Sequence, residues 1–140
     1  MTSTVDHVLT HIGIAPVARG GPGLLGARLS SYPRRRATVI EVVGEIDAYN
    51  AQPVTDYLVG FIHGDHPLVL DLSGVDFLGT AGFRAILQFA EECRRTERHW
   101  ALVSSDAVKI LLRVAPNHHL PAVESVDAAL ERCAAAPKPA

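Results

Sequence analysis

Leu70-Asp71-Leu72-Ser73-Gly74-Val75-Asp76-Phe77-Leu78-Gly79-Thr80-Ala81-Gly82-Phe83 decides how the rest of the chain is read. Its first residues complete an apolar run from Leu68 to Leu72 broken by one Asp, the pattern of a strand covered on both faces. Ser73 to Gly79 then reads as a loop, and a helix is predicted from about Ala81. Open α/β sheets gather their sites where a strand ends and a helix begins. The first amides of such a helix, here near 81–83, lack intrahelical acceptors and attract an acid or a phosphate. Thr80 is placed to cap this helix through its hydroxyl, while Gly79 and Gly82 leave the backbone bare. Spacing alone is also satisfied by a tight strand-to-helix turn with no further role.

Outward from this stretch, strand and helix periodicities alternate. Upstream, Ala37 to Val43 is a β-branched run ended by Gly44, preceded by a turn at Tyr32-Pro33-Arg34-Arg35-Arg36 and a first strand from Leu24 to Ser31. Asn50 is a good N-cap for a helix carrying Val54, Tyr57, Leu58, Phe61 and Ile62 at helical spacing. Downstream, Phe83, Ile86, Leu87, Ala90 and Cys93 form an apolar stripe with charged residues between them. Trp100 to Val103 is a short strand; Ser104 or Ser105 caps a third helix that Pro116-Asn117 stops; Leu120 to Val123 is a last short strand; and Ser125 caps a final helix. The order β-β-α-β-α-β-α-(β)-α places the chain in the α/β class, with a mainly parallel or mixed sheet. The glycine-rich run Arg19 to Gly23 separates a flexible leader, 1–23, from a domain over 24–133, and 134–140 reads as a frayed tail.

Composition narrows the function. Hydrophobic residues make up 48% and charged residues 20%, enough apolar matter for one core in 140 residues. A net charge of −2 argues against nucleic acid as a partner. No apolar run reaches the ~18–20 residues of a membrane span, and no signal peptide is evident, so a cytoplasmic protein with no membrane partner is expected. Gly74-x-x-x-x-Gly79 has the opening spacing of a phosphate-binding loop, but Thr80-Ala81 stands where Lys-Ser/Thr is required. His7 and His11 lack a third ligand, and His63 and His66 and His118-His119 read as surface histidines flanking helix ends, so neither metal nor cofactor is expected. Arg34-Arg35-Arg36 reads as a solvated turn and Cys93 as inert core, with a disulfide to Cys133 unsupported. No catalytic nucleophile or carboxylate pair stands out; Asp71 and Asp76 read as structural or recognition residues.

Two motifs together carry a resemblance. Gly44-Glu45-Ile46-Asp47 after a strand, followed by Leu70 to Leu78 running into Thr80-Ala81-Gly82-Phe83, resembles the STAS domain of bacterial anti-sigma-factor antagonists, over about 24–133. The resemblance implies a STAS-like mixed β-sheet with α-helices packed mainly on one face. It further implies a non-enzymatic, protein-binding domain that regulates transcription by partner switching: it binds an anti-sigma factor, often a serine kinase, and thereby releases a sigma factor. In the family the pattern entering the helix is usually Asp-Ser-Ser/Thr-Gly-Leu, with the second hydroxyl residue phosphorylated. Here Gly79 stands at the Asp, Thr80 at the first Ser, Ala81 at the phosphoacceptor and Gly82 at the Gly. Alanine accepts no phosphoryl group, so that off-switch is absent or has moved to Thr80, the remaining candidate phosphorylation site. Asp47 matches the family's acidic residue beside the phosphorylated position. The expected partner-binding residues are Asp47, Gly79, Thr80, Ala81, Gly82 and Phe83. The rival reading is a small-ligand or nucleotide sensor using the same helix N-terminus at 79–83.

Overall fold

A computed structural model describes residues 26–115 and 119–135. The expected leader, the His7 and His11 pair, the Pro116-Asn117 stop, His118 and the tail beyond Ala135 lie outside the described residues. The elements are β1 (Ala27–Arg34), β2 (Ala37–Ile46), α1 (Ala51–Val59), β3 (Leu68–Leu78), α2 (Thr80–Arg95), β4 (Trp100–Val103), α3 (Asp106–Val114), β5 (Ala122–Val123) and α4 (Val126–Ala134). The sheet order is β1-β2-β3-β4-β5, with β1 antiparallel to β2 and every other pair parallel. The mixed α/β sheet is therefore the observed one.

The first hairpin is tighter than the sequence suggests. Only Arg35 and Arg36 form its turn, both at positive φ (50° and 69°), the backbone sign that suits a two-residue hairpin connection. β1 consequently runs on to Arg34 rather than ending at Ser31, and Pro33 is accommodated because β1 lies at the sheet edge. Arg34 is not purely solvated: it forms an ion pair of 3.0 Å with Asp127 of α4.

The second departure concerns the deciding stretch itself. Ser73 to Leu78 is strand, not loop, because β2 also extends past Val43 to Ile46 and supplies partners through Gly44↔Val75, Glu45↔Phe77 and Ile46↔Leu78. Two register irregularities, between Glu41 and Val43 and between Gly44 and Glu45, absorb the mismatch. Gly44 makes the bend possible. Its φ is +111°, and a Cβ there would lie 2.1 Å from the Gly26 carbonyl oxygen.

The sheet divides two cores. On one face α1, α2 and α3 cover Leu29, Ile40, Val42, Leu68, Leu70, Leu72 and Leu102; each such buried side chain contributes roughly 1.5–3 kcal/mol. On the other, α4 covers Val39, Val69, Ala101 and Val103 through Ala129, Leu130 and Cys133. Helices thus lie mainly on one face. The buried line of α2 is Gly82, Ala85, Ile86, Phe89 and Cys93, rotated from the expected stripe so that Phe83, Leu87 and Ala90 are only half-buried. Cys93 and Cys133 belong to opposite cores and are both free thiols. Burial pushes the Cys93 thiol up to about 12 and raises that of Cys133. Of the candidate caps, Ser105 accepts from the Val108 amide and Ser125 from the Ala128 amide.

Candidate functional site

The C-terminal ends of β2 and β3 meet at one point. The Gly79 amide donates to the Ile46 carbonyl at 2.9 Å, which sets the start of α2 beside Asp47. The two motifs, separate in sequence, thus form one surface. Asp47 is fixed there by its own turn: its Oδ1 accepts from the amides of Tyr49 (2.9 Å) and Asn50 (3.3 Å). Asn50, fully buried, answers by accepting from the Asp47 amide and donating to the Glu45 carbonyl. Asn50 occupies the N-cap position of α1 as expected, yet it spends its side chain on this turn rather than on a helix amide.

At the tip of α2 the N-cap is Gly79, not Thr80. Gly79 has no side chain with which to satisfy the first amides, and no acid stands in the first turn. Thr80 is exposed as the first helical residue and does not cap; Ala81 and Phe83 are half-buried. Gly82 departs from expectation. It is buried, and a Cβ there would come within 2.6 Å of Leu78 Cδ1 and 2.8 Å of Ile46 Cγ2. Its absence of side chain lets α2 approach the end of β2, so Gly82 underlies the surface and offers no bare backbone to a partner.

Two aromatic residues at this end were not among the expected site residues. Tyr49 is 81% exposed and Phe77 51% exposed, both among the few large apolar side chains left in water among the described residues. Phe77 pairs across from Glu45, and its ring passes within 3.4 Å of where a Gly79 Cβ would stand. Strand alternation does not find Phe77, because the register irregularities along β3 turn Val75 into the core and leave Asp76 and Phe77 both exposed. Tyr49 follows from its place in the Asp47 turn, where no helix or strand face exists to bury a ring.

The surface offers carboxylate, hydroxyl and aromatic groups. The carboxylates of Asp47, Glu45 and Asp76, the hydroxyl of Thr80 and two aromatic rings include no nucleophile paired with a base. Among the described residues no group of three or more His, Cys, Asp or Glu is gathered for a metal ion. Among the same residues no helix is long and apolar enough to cross a membrane.

Comparison with known proteins agrees with the geometry. The STAS domain profile matches residues 29–129. The chain is 36% identical over 114 residues to osmosensory protein A of Mycobacterium tuberculosis, covering 77% of this chain and 69% of that protein. It is 34% identical over 109 residues to a putative anti-anti-sigma factor of the same organism, covering 72% of each. The crystal structure of an anti-sigma factor antagonist from Mycobacterium paratuberculosis superposes with a TM-score of 0.71 at 23% identity, over 82% of this chain and 98% of that one, a likeness of fold. The five-stranded mixed sheet, the two motifs joined at Gly79 and Ile46, and the profile match lead to one conclusion: the chain belongs to the STAS domain family.

Proposed function

We propose that the protein is an anti-sigma-factor antagonist that acts by binding and catalyses no reaction. The partner is an anti-sigma factor, of the serine-kinase type in the family's usual arrangement, and its capture frees a sigma factor for transcription. The docking surface is the junction of β2 and β3 with α2: Asp47, Gly79, Thr80, Ala81 and Phe83, seated on Gly82 and flanked by Tyr49 and Phe77. The observation that supports this reading is the Gly79 to Ile46 hydrogen bond, which draws both family motifs into one exposed patch.

Ala81 gives the reading its particular form. A phosphate there would bring about −1.5 to −2 charges next to Asp47. Alanine cannot carry one, so antagonism at this position is constitutive and control falls to abundance or to another signal. Thr80, exposed and one residue earlier, keeps a hydroxyl within reach of a kinase. Titration of the anti-sigma factor tests the surface. Ala81→Asp, imitating the phosphorylated family member, should weaken binding by roughly tenfold or more through like-charge repulsion and bulk. Unchanged affinity removes this patch as the dock. Mass spectrometry after incubation with the cognate kinase locates any phosphoryl group, and uptake that persists in Thr80→Ala excludes Thr80.

A further inference from the structure

Far from the α2 tip, the sheet has a notch. β5 is two residues long and pairs with β4 only at Leu102 and Val103, so the outer edge of β4 at Trp100 and Ala101 has no partner in β5. The notch opens into a cleft of about 890 Å3. Leu87 and Ala90 of α2 form one wall, the last turn of α4 with Arg132 and Cys133 forms the other, and Trp100 lies between them. The Trp100 ring is set edge-on against Phe89 at 5.2 Å, which fixes its plane while leaving it half-exposed.

The charge of this cleft is opposite in sign to the net charge of the chain. Arg94, Arg98 and Arg132 line it against Glu91 as its one carboxylate, giving an excess of two positive charges on a chain whose net charge is −2. Arg94 is already engaged by Glu91. Arg98 directs its N–H groups to the carbonyls of Phe61, Ile62 and His66, so its hydrogen bonds are used while its charge meets no carboxylate at ion-pair distance among the described residues. Arg132 is exposed and has no ion-pair partner among the described residues. The cleft therefore combines an apolar, aromatic floor with one unengaged guanidinium and a background positive field, at a volume ordinary for a small-molecule site.

We infer that this cleft binds a small anion with a flat apolar body, the body lying against Trp100, Leu87 and Ala90 and the charged group meeting Arg132. This site is separate from the proposed partner dock and stands whether or not that dock is correct.

Trp100 is the chain's single tryptophan, so its emission reports occupancy directly. The probe is 8-anilinonaphthalene-1-sulfonate, a flat apolar anion, titrated into the native full chain. Saturable quenching of Trp100 is expected. Arg132→Glu should weaken the probe about tenfold by reversing the charge that meets the sulfonate. Ala90→Phe, which fills the wall, should abolish binding, while Thr80→Ala at the α2 tip should leave it unchanged. A melting curve for each variant shows that it is folded, and the two cleft variants act independently. Absence of saturable quenching up to about 1 mM, the weakest range of specific association, overturns the inference. So does quenching that both folded cleft variants leave intact, or quenching that Thr80→Ala removes.

Discussion

At the residue scale, single atoms decide whether the candidate surface exists. Gly82 is the clearest case. A methyl there would gain about 1 kcal/mol of helix propensity, but it would press on Ile46, a stiff β-branched side chain that is 1% exposed. Overpacking of that kind costs about 1–3 kcal/mol. Gly82→Val, with no comparable propensity gain, should therefore destabilise the fold by about 2 kcal/mol, read as a lower urea midpoint. This role was not legible in the sequence, where Gly82 looks like exposed backbone; only the contact with distant Ile46 reveals it. The nearness of Asp47 to the start of α2 was legible through the two motifs, whereas its turn with Asn50 was not, because a good helix cap is indistinguishable by type from a good loop anchor.

Ionisable residues at the same scale set an alkaline limit. The Cys93 thiol is raised to about 12 by burial, and Cys133 and Tyr32 are raised as well, Tyr32 chiefly by burial and then by Asp71 and Glu41. Between about pH 9 and 12 the folded state keeps the Cys93 proton while the unfolded state releases it. The unfolded chain then binds fewer protons, so stability must fall as pH rises through this window. Denaturant titrations from pH 8 to 11 should show that decline, and Cys93→Ala, compared with its own value at pH 8, should show a shallower one.

At the scale of elements, misreadings came from residues whose types suit two structures. Ser73-Gly74 and Tyr32-Pro33 look like turn residues, yet both lie in strands because β2 pairs with Tyr32, Pro33 and Gly74 and carries Ser73 across a register irregularity. Helix starts governed by local chemistry, such as Ser105 and Ser125, were readable because the donor lies only three residues away. Arg98 shows a tether that no local pattern announces. From just before β4 it reaches back to the Phe61, Ile62 and His66 carbonyls and pins the connection between α1 and β3. Arg98→Met keeps the stem but strands those acceptors, at a cost of about 1–3 kcal/mol. A lower urea midpoint with unchanged affinity for the proposed anti-sigma factor is the expected outcome, since the tether is remote from the α2 tip.

At the scale of the molecule, the architecture of alternating strands and helices was readable because periodicity survives even where boundaries slip. What the sequence could not give was the outward projection of Tyr49 and Phe77, which depends on where the sheet stops being covered. If the proposed dock is correct, these rings are its anchors. Tyr49→Ala and Phe77→Ala should each reduce anti-sigma factor affinity by about tenfold or more without lowering the melting temperature, since both side chains are largely in water already.

The second core rests on α4, which comes last among the described elements. During translation, β1 to β4 and the three helices of the first layer emerge while Val39, Val69, Ala101 and Val103 still lack their cover. Until Ala129 to Cys133 leave the ribosome, the nascent chain carries an apolar strip open to chaperones and to its neighbours on the polysome. A message truncated before the codon for Ser125 would release that strip permanently, yielding an insoluble product instead of a shortened domain.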